Sequence, residues 1–216
     1  MDQEALFEQI IKAIQDGDKE TSSNCTKAYL DIGGNPYKCL KEALIPAMAS
    51  VSKGWDNGEY FLPDVILSAG AMKASSLLLQ EVISSKEGRD ITKGVIVLGT
   101  IRGDIHDIGK DLANAILTGG LFQVYDIGVD RSPQAFIEKA QEVNADIIGV
   151  SCLLTGCLPQ VEILIDRLKE MNLKDKFRVL VGGGALTADM VTKLGADGFA
   201  REPQSIVPEA ERLMDL

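Results

Sequence analysis

The stretch KGVIVLGTIRGDIHDIGKD, residues 93–111, passes from one kind of chain to another and then to a third. Val95–Leu98 is a β-branched apolar run closed by Gly99, the pattern of a strand covered on both faces. From Asp107 onward, acids precede an apolar periodic segment, which suits the start of a helix. Between the two sits Gly103-Asp104-Ile105-His106, holding the only histidine of the chain. Strand, loop and helix in this order open a βαβ unit and put the loop at the carboxyl edge of a parallel sheet.

The same grammar returns downstream in FQVYDIGV (122–129), ADIIGVSC (145–152) and FRVLVGGG (177–184), each followed by a helical pattern. GADGFA (195–200) supplies a shorter fifth strand before the closing helix PEAERLM. Five strands alternating with helices predict a flavodoxin-like (Rossmann-like) doubly wound parallel sheet of order 2-1-3-4-5. In that order the loops after the first and third strands flank the switch point where ligands bind. His106 lies in the first of these loops and Ser151 opens the second, with Gly182-Gly183-Gly184 beside them after the fourth strand.

Upstream the periodicity is helical throughout. Leu6, Ile10, Ile11 and Ile14 form one stripe that stops at DGD; KETSSNCTKAYLDIGG reads as a second helix. A third opens at Pro36 and runs through PYKCLKEALIPAMASVSKGW, and a fourth runs from about Pro63 through PDVILSAGAMKASSLLLQEVI. Together they predict a four-helix bundle cap. SSKEGRDITK (84–93) reads as a linker, so the expected domains are a helical cap over 1–88 and an α/β domain over 89–216.

The formal charge of −10 and the lack of any Lys/Arg cluster argue against nucleic acid as a partner. No signal-peptide pattern is present, and no apolar run approaches the roughly 20 residues of a membrane span. The expected setting is therefore cytoplasmic, away from membranes. Cys25, Cys39, Cys152 and Cys157 lack CxxC spacing and read as buried apolar thiols.

The imidazole admits three readings: a metal ligand, a general base, or an ordinary polar loop residue. Asp104 favours the first two, because a carboxylate that accepts one ring N–H leaves the other nitrogen as a lone-pair donor. A phosphate loop does not fit, since five residues separate Gly103 from Gly109 and Asp111 stands where Ser or Thr would hold magnesium. No G-x-G-x-x-G follows the first strand, Ser151 occupies the place of a receiver aspartate, and GVSCLL is not a nucleophile elbow. What remains is a bulky cofactor whose metal takes one protein ligand. Heme suits it poorly, because such a sheet encloses little apolar volume.

Asp104-x-His106-x-x-Gly109, Ser151-x-Leu153 and Gly182-Gly183 together resemble the D-x-H-x-x-G, S-x-L, G-G signature of cobalamin-binding domains. GWDNGEYFLPDVILSAGAMKA (54–74) is similar to the cap segment of methionine synthase and of corrinoid methyl-carrier proteins. The resemblance spans nearly the whole chain. It implies cobalamin or a related corrinoid, bound base-off and His-on, that cycles between cob(I)alamin and methylcobalamin. His106 would be the lower axial cobalt ligand, Asp104 would hold its other nitrogen, and Ser151 would extend that relay. Gly103, Ile105, Asp107, Ile108, Gly109, Leu153, Thr155, Gly182, Gly183 and Gly184 would complete the cofactor contacts. Trp55 and Leu62 match the aromatic–leucine spacing of caps that cover the upper face, though with tryptophan in place of methionine synthase's phenylalanine.

The implied role is that of a carrier subunit with no complete enzyme activity of its own. It would take a methyl group from a substrate-specific methyltransferase and pass it to a second methyltransferase acting on a pterin or thiol, with a reductive activase as a further partner. A mobile cap hinged near 84–93 is part of that picture. A cobalamin-based sensor is the alternative, and the small subunit of an adenosylcobalamin mutase is a third reading. Neither a basic recognition helix nor a mutase-type lack of cap favours these two.

Overall fold

The computed structural model describes residues 2–87, 92–184, 186–201 and 205–216. The chain divides into two compact units, Met1–Thr92 with Thr118–Leu121, and Lys93–Leu117 with Phe122–Leu216.

In the first unit, α1 (Gln3–Gln15) turns Leu6, Ile10 and Ile14 into the core at i, i+4 and i+8. The DGD breaker ends it, and Asp18 then caps α2 (Lys19–Asp31) by accepting the Thr21 amide at 2.9 Å. Asn35 caps α3 (Pro36–Cys39), whose first residue is the proline expected there. The segment read as one third helix is interrupted by a π-helical turn, Leu40–Leu44, before α4 (Ile45–Asp56). Pro46 explains the interruption: it has no N–H to give, and its ring crowds the carbonyl four residues back, so the ladder widens by one residue.

Helix α5 (Leu62–Glu87) extends beyond the expected end into the presumed linker; residues 88–91 of that stretch lie outside the described residues. Its 22-residue stretch Leu62–Ile83 is long and apolar enough to cross a membrane by length and composition, contrary to the expectation that no run comes close. Met72, Leu79 and Ile83 instead pack in the helical core with Leu6, Ile10, Tyr29 and Leu44. Small polar side chains let α2 and α5 approach: the Ser22 and Ser75 hydroxyls pair at 2.6 Å, and Thr26 donates to Ser75 at 3.0 Å.

The second unit is the expected parallel sheet, in the order β2-β1-β3-β4-β5. Its strands are β1 (Gly94–Thr100), β2 (Phe122–Asp126), β3 (Ile147–Ser151), β4 (Arg178–Gly182) and β5 (Gly198–Ala200). Helices α6 (Ile108–Gly119), α7 (Pro133–Glu142), α8 (Leu158–Glu170), α9 (Ala188–Leu194) and α10 (Ile206–Leu213) connect and close it. One sheet face carries Val97, Ile148, Val150 and Val181 against Phe136 and Ile137 of α7 and Leu164 and Leu168 of α8. The other carries Ile96, Leu98, Ile147 and Leu180 against Leu117 of α6 and Ala210 and Leu213 of α10. Each fully buried Leu or Ile contributes about 1.5–3 kcal/mol, so the two layers fix the sheet firmly. The register aligns Thr100, Ser151, Gly182 and Ala200 in one row at the carboxyl edge, and Leu98, Gly149 and Leu180 in a row beneath it.

Candidate functional site

The loop after β1 turns at Gly103, whose φ of +89° lies in the left-handed region that glycine enters at no cost. Ile101 donates its amide to Ser151 (3.1 Å), and the Thr100 hydroxyl donates to the His106 carbonyl (3.0 Å), so the loop is tied to both neighbouring strands. Asp104 is fully buried beneath it. Its Oδ1 accepts the His106 amide at 3.0 Å and the His106 Nδ1–H at 2.6 Å, and its Oδ2 accepts the Leu153 amide at 2.6 Å. Burial pushes this carboxyl up, but the amides of His106 and Leu153, and then the ring, outweigh it and hold Asp104 below its ordinary value of 3.8. An ionised carboxylate only accepts hydrogen bonds, so the proton of a neutral His106 sits on Nδ1 and Nε2 presents a lone pair. The His106 side chain is 51% exposed, and Ile105 and Ile108 beside it are 73% and 70% exposed, an apolar rim around the imidazole.

Ser151 reaches the same edge, directly opposite Thr100. Among the described residues no hydrogen bond joins its hydroxyl to Asp104. The position expected for it in the relay is filled by the Leu153 amide, a backbone donor that no residue letter announces. Ser151 lines a cavity of about 220 Å³ in the α/β unit instead, together with Gly109, Leu153, Gly182, Gly183 and Gly184. Thr155 starts a short 3₁₀ turn (Thr155–Cys157) and is exposed away from that lining. Asp107 precedes α6 and accepts the Asp111 amide through its carbonyl at 2.7 Å, as a helix start should. Trp55 ends α4 and Leu62 begins α5, both half-buried in the helical unit.

The cavity exists because side chains are missing from its walls. Gly149 stands in the middle of β3, between buried Ile148 and Val150, where a Cβ would already sit 3.0 Å from Leu98 Cδ1. Glycine weakens a strand interior, and here it leaves the wall of the cavity without a side chain. Gly183, at φ +121°, would drive a Cβ to 2.2 Å from the Cys152 carbonyl oxygen. Gly109 has open space where its Cβ would be. Ala113 and Ala200 complete the small-residue lining, with Leu117 and Leu180 beyond them. Sequence reasoning passed over Gly149, Ala113, Ala200 and Lys110; the one signal was a glycine breaking the run IIGV. Lys110 is 4% exposed, donates to Asp111 Oδ1 at 2.6 Å and pairs with Asp126 at the end of β2.

Among the described residues no three His, Cys, Asp or Glu side chains converge to hold a metal ion. A family model described as a B12 binding domain matches residues 94–210, and a second one, also described as a B12 binding domain, matches residues 6–80. A corrinoid protein of Desulfitobacterium hafniense (strain Y51) is 39% identical over 213 residues, 97% of this chain and 98% of that protein. The chain belongs to the B12-binding corrinoid proteins.

This corrinoid protein is also 38% identical to the dimethylamine corrinoid protein of Methanosarcina barkeri, over 99% of its own length and all of the relative's. Its fold is similar to a chain of the methanol:cobalamin methyltransferase complex from the same organism, with a TM-score of 0.83 at 27% identity, over 98% of this chain and 80% of that one. The cofactor of the family is cobalamin or a related corrinoid, and the residues present fit it. One aligned imidazole stands free on an apolar rim, and a glycine-walled slot of the right chemistry for an aromatic base opens at the same sheet edge.

Proposed function

We propose that this corrinoid protein is the methyl-carrying subunit of a multi-component methyltransferase system. It would receive a methyl group from a substrate-specific methyltransferase and deliver it to a second methyltransferase, whose acceptor is a pterin or a thiol. The observation that carries the reading is the Asp104–His106 pair at 2.6 Å, which leaves a single nitrogen donor facing outward on an exposed apolar rim. The bound cobalt supplies the chemistry of accepting and releasing the methyl group.

The chain's own residues do four things in this reading. His106 Nε2 would hold the cobalt, and Asp104 fixes the ring by accepting the hydrogen bond from its Nδ1–H. Gly109, Gly149, Ser151, Leu153, Gly182, Gly183 and Gly184 would hold the nucleotide tail of the corrinoid. Ile105 and Ile108, exposed beside His106, would give the macrocycle an apolar seat that excludes water. Trp55 and Leu62 would be the helical unit's contribution to guarding the bound methyl group. A reductive activase serves the same protein when the cobalt is oxidised. The similarity to the dimethylamine corrinoid protein and to the methanol complex points to a small methylated substrate held by the partner, with methylamines and methanol as the first donors to try.

The test is His106→Ala, reconstituted with cobalamin and compared with wild type. Loss of the axial nitrogen signature in the cobalt(II) spectrum and weaker cobalamin retention are expected; an unchanged spectrum overturns the ligand assignment. Visible spectroscopy of the reduced wild-type protein, screened with methylamines, methanol, glycine betaine and aryl methyl ethers in the presence of partner enzymes, then identifies the donor.

A further inference from the structure

The carboxylate of Asp104 is spent on His106 and Leu153, so it cannot also fix its own backbone. That task falls to the loop after β2. There the Asp130 side chain accepts the Gly103 amide at 2.8 Å through Oδ1, while its own amide donates to the Asp104 carbonyl at 3.0 Å. One residue thus brackets the Gly103–Asp104 segment from both ends. The two loops are joined further by Thr100 donating to the Gly128 carbonyl (2.9 Å) and Arg131 donating to that of Thr100 (2.9 Å).

Asp130 holds a φ of +53°, in the left-handed region that side chains other than Asn and Asp avoid. Two residues earlier the same loop meets that demand with a glycine, Gly128, at φ +87°. Asp130 carries a side chain where glycine would relieve the strain, and that side chain is the acceptor for Gly103.

We infer that Asp130 is a positioning residue for the metal ligand: it pins the Gly103–Asp104 backbone so that the Asp104 carboxylate aims His106 Nε2 at cobalt. The inference rests on the reading of His106 as the axial ligand and reaches a second loop that the motif D-x-H-x-x-G does not include. Its consequence is that the strength of the axial bond depends on a side chain that touches neither cobalt nor imidazole.

Two variants separate the acceptor from the backbone. Asp130→Gly keeps, and relaxes, the left-handed conformation while deleting the acceptor; Asp130→Asn keeps both the conformation and an acceptor oxygen. Each is reconstituted with cobalamin, reduced to cobalt(II), and examined by electron paramagnetic resonance for the nitrogen splitting of the His-on form. The thermal midpoint of the protein without cofactor serves as the folding control, and His106→Ala marks the fully His-off spectrum. The expected result is a His-on fraction reduced roughly fivefold or more in Asp130→Gly and close to wild type in Asp130→Asn, with no large drop in thermal midpoint. A wild-type spectrum in Asp130→Gly, or equal losses in both variants, overturns the inference. If His106→Ala itself matches wild type, it is the axial-ligand reading that fails.

Discussion

Lys110 and Asp104 meet burial in opposite ways. Asp104 is an anion that collects three N–H donors, and Lys110 is a cation that collects two carboxylates. For Lys110, burial pushes the ammonium down, but Asp111 and Asp126 outweigh it and hold the group above its ordinary 10.5. The unfolded chain therefore loses this proton first as pH rises. The stabilisation from the cluster is complete below pH 10.5 and is lost as pH climbs through the higher native value. Lys110→Met is expected to cost about 2–3 kcal/mol at neutral pH, since it leaves Asp126 part-buried without its partner. In urea unfolding, the gap between wild type and variant narrows above pH 10.5; a constant gap assigns the alkaline loss to other groups. At this scale the sequence shows His106 and Asp104 plainly, because their spacing puts both on one loop. It hides Lys110's partners and the Leu153 amide, since a strand-end aspartate and a backbone N–H acquire their roles only when the loops are brought together.

Among the elements, β3 holds the most information in the fewest residues. Its neighbours in the sheet present Leu98 and Leu180 beside Gly149, and the absent side chain between them is what opens the slot. Gly149→Ala puts a single methyl group into the slot; its tightest contact, 3.0 Å, is the flexible end of Leu98, and the thermal midpoint serves as the folding control. The expected outcome is at least a roughly tenfold loss of affinity for cobalamin, which carries the nucleotide tail, and little change for cobinamide, which lacks it. Absorbance titrations with the two corrinoids measure this, and equal losses for both would show that the tail does not enter the slot. The strands themselves are legible because β-branched runs between glycines have few other uses. The π-helical turn before Pro46 is not, since α- and π-turns share almost the same apolar spacing and differ only in which carbonyl receives the bond. The extension of α5 to Glu87 is hidden for a related reason: a polar run ending in glycine suits a last helical turn as well as a linker.

For the molecule as a whole, the distribution of functions between the units is uneven. Asp104, His106, Asp130 and every residue lining the slot fall within Lys93–Leu117 or Phe122–Leu216, while Trp55 and Leu62 fall within Met1–Thr92. Each unit also has its own core, Leu6, Ile10, Tyr29 and Met72 in one, and Val97, Ile148, Phe136 and Leu164 in the other. The order of these blocks was legible from the switch of apolar period from helical to strand-like along the chain. The cofactor's affinity should then reside in the second unit. A fragment spanning 93–216 is expected to bind hydroxocobalamin with an affinity within about tenfold of the full chain and to show the same His-on cobalt(II) spectrum. The helical segment 2–87 alone is expected not to bind. Retention of the cofactor on size-exclusion chromatography, followed by visible spectra of the eluted fragments, decides the matter. A 93–216 fragment that is folded by circular dichroism yet fails to retain cobalamin would make the helical unit part of the binding site itself.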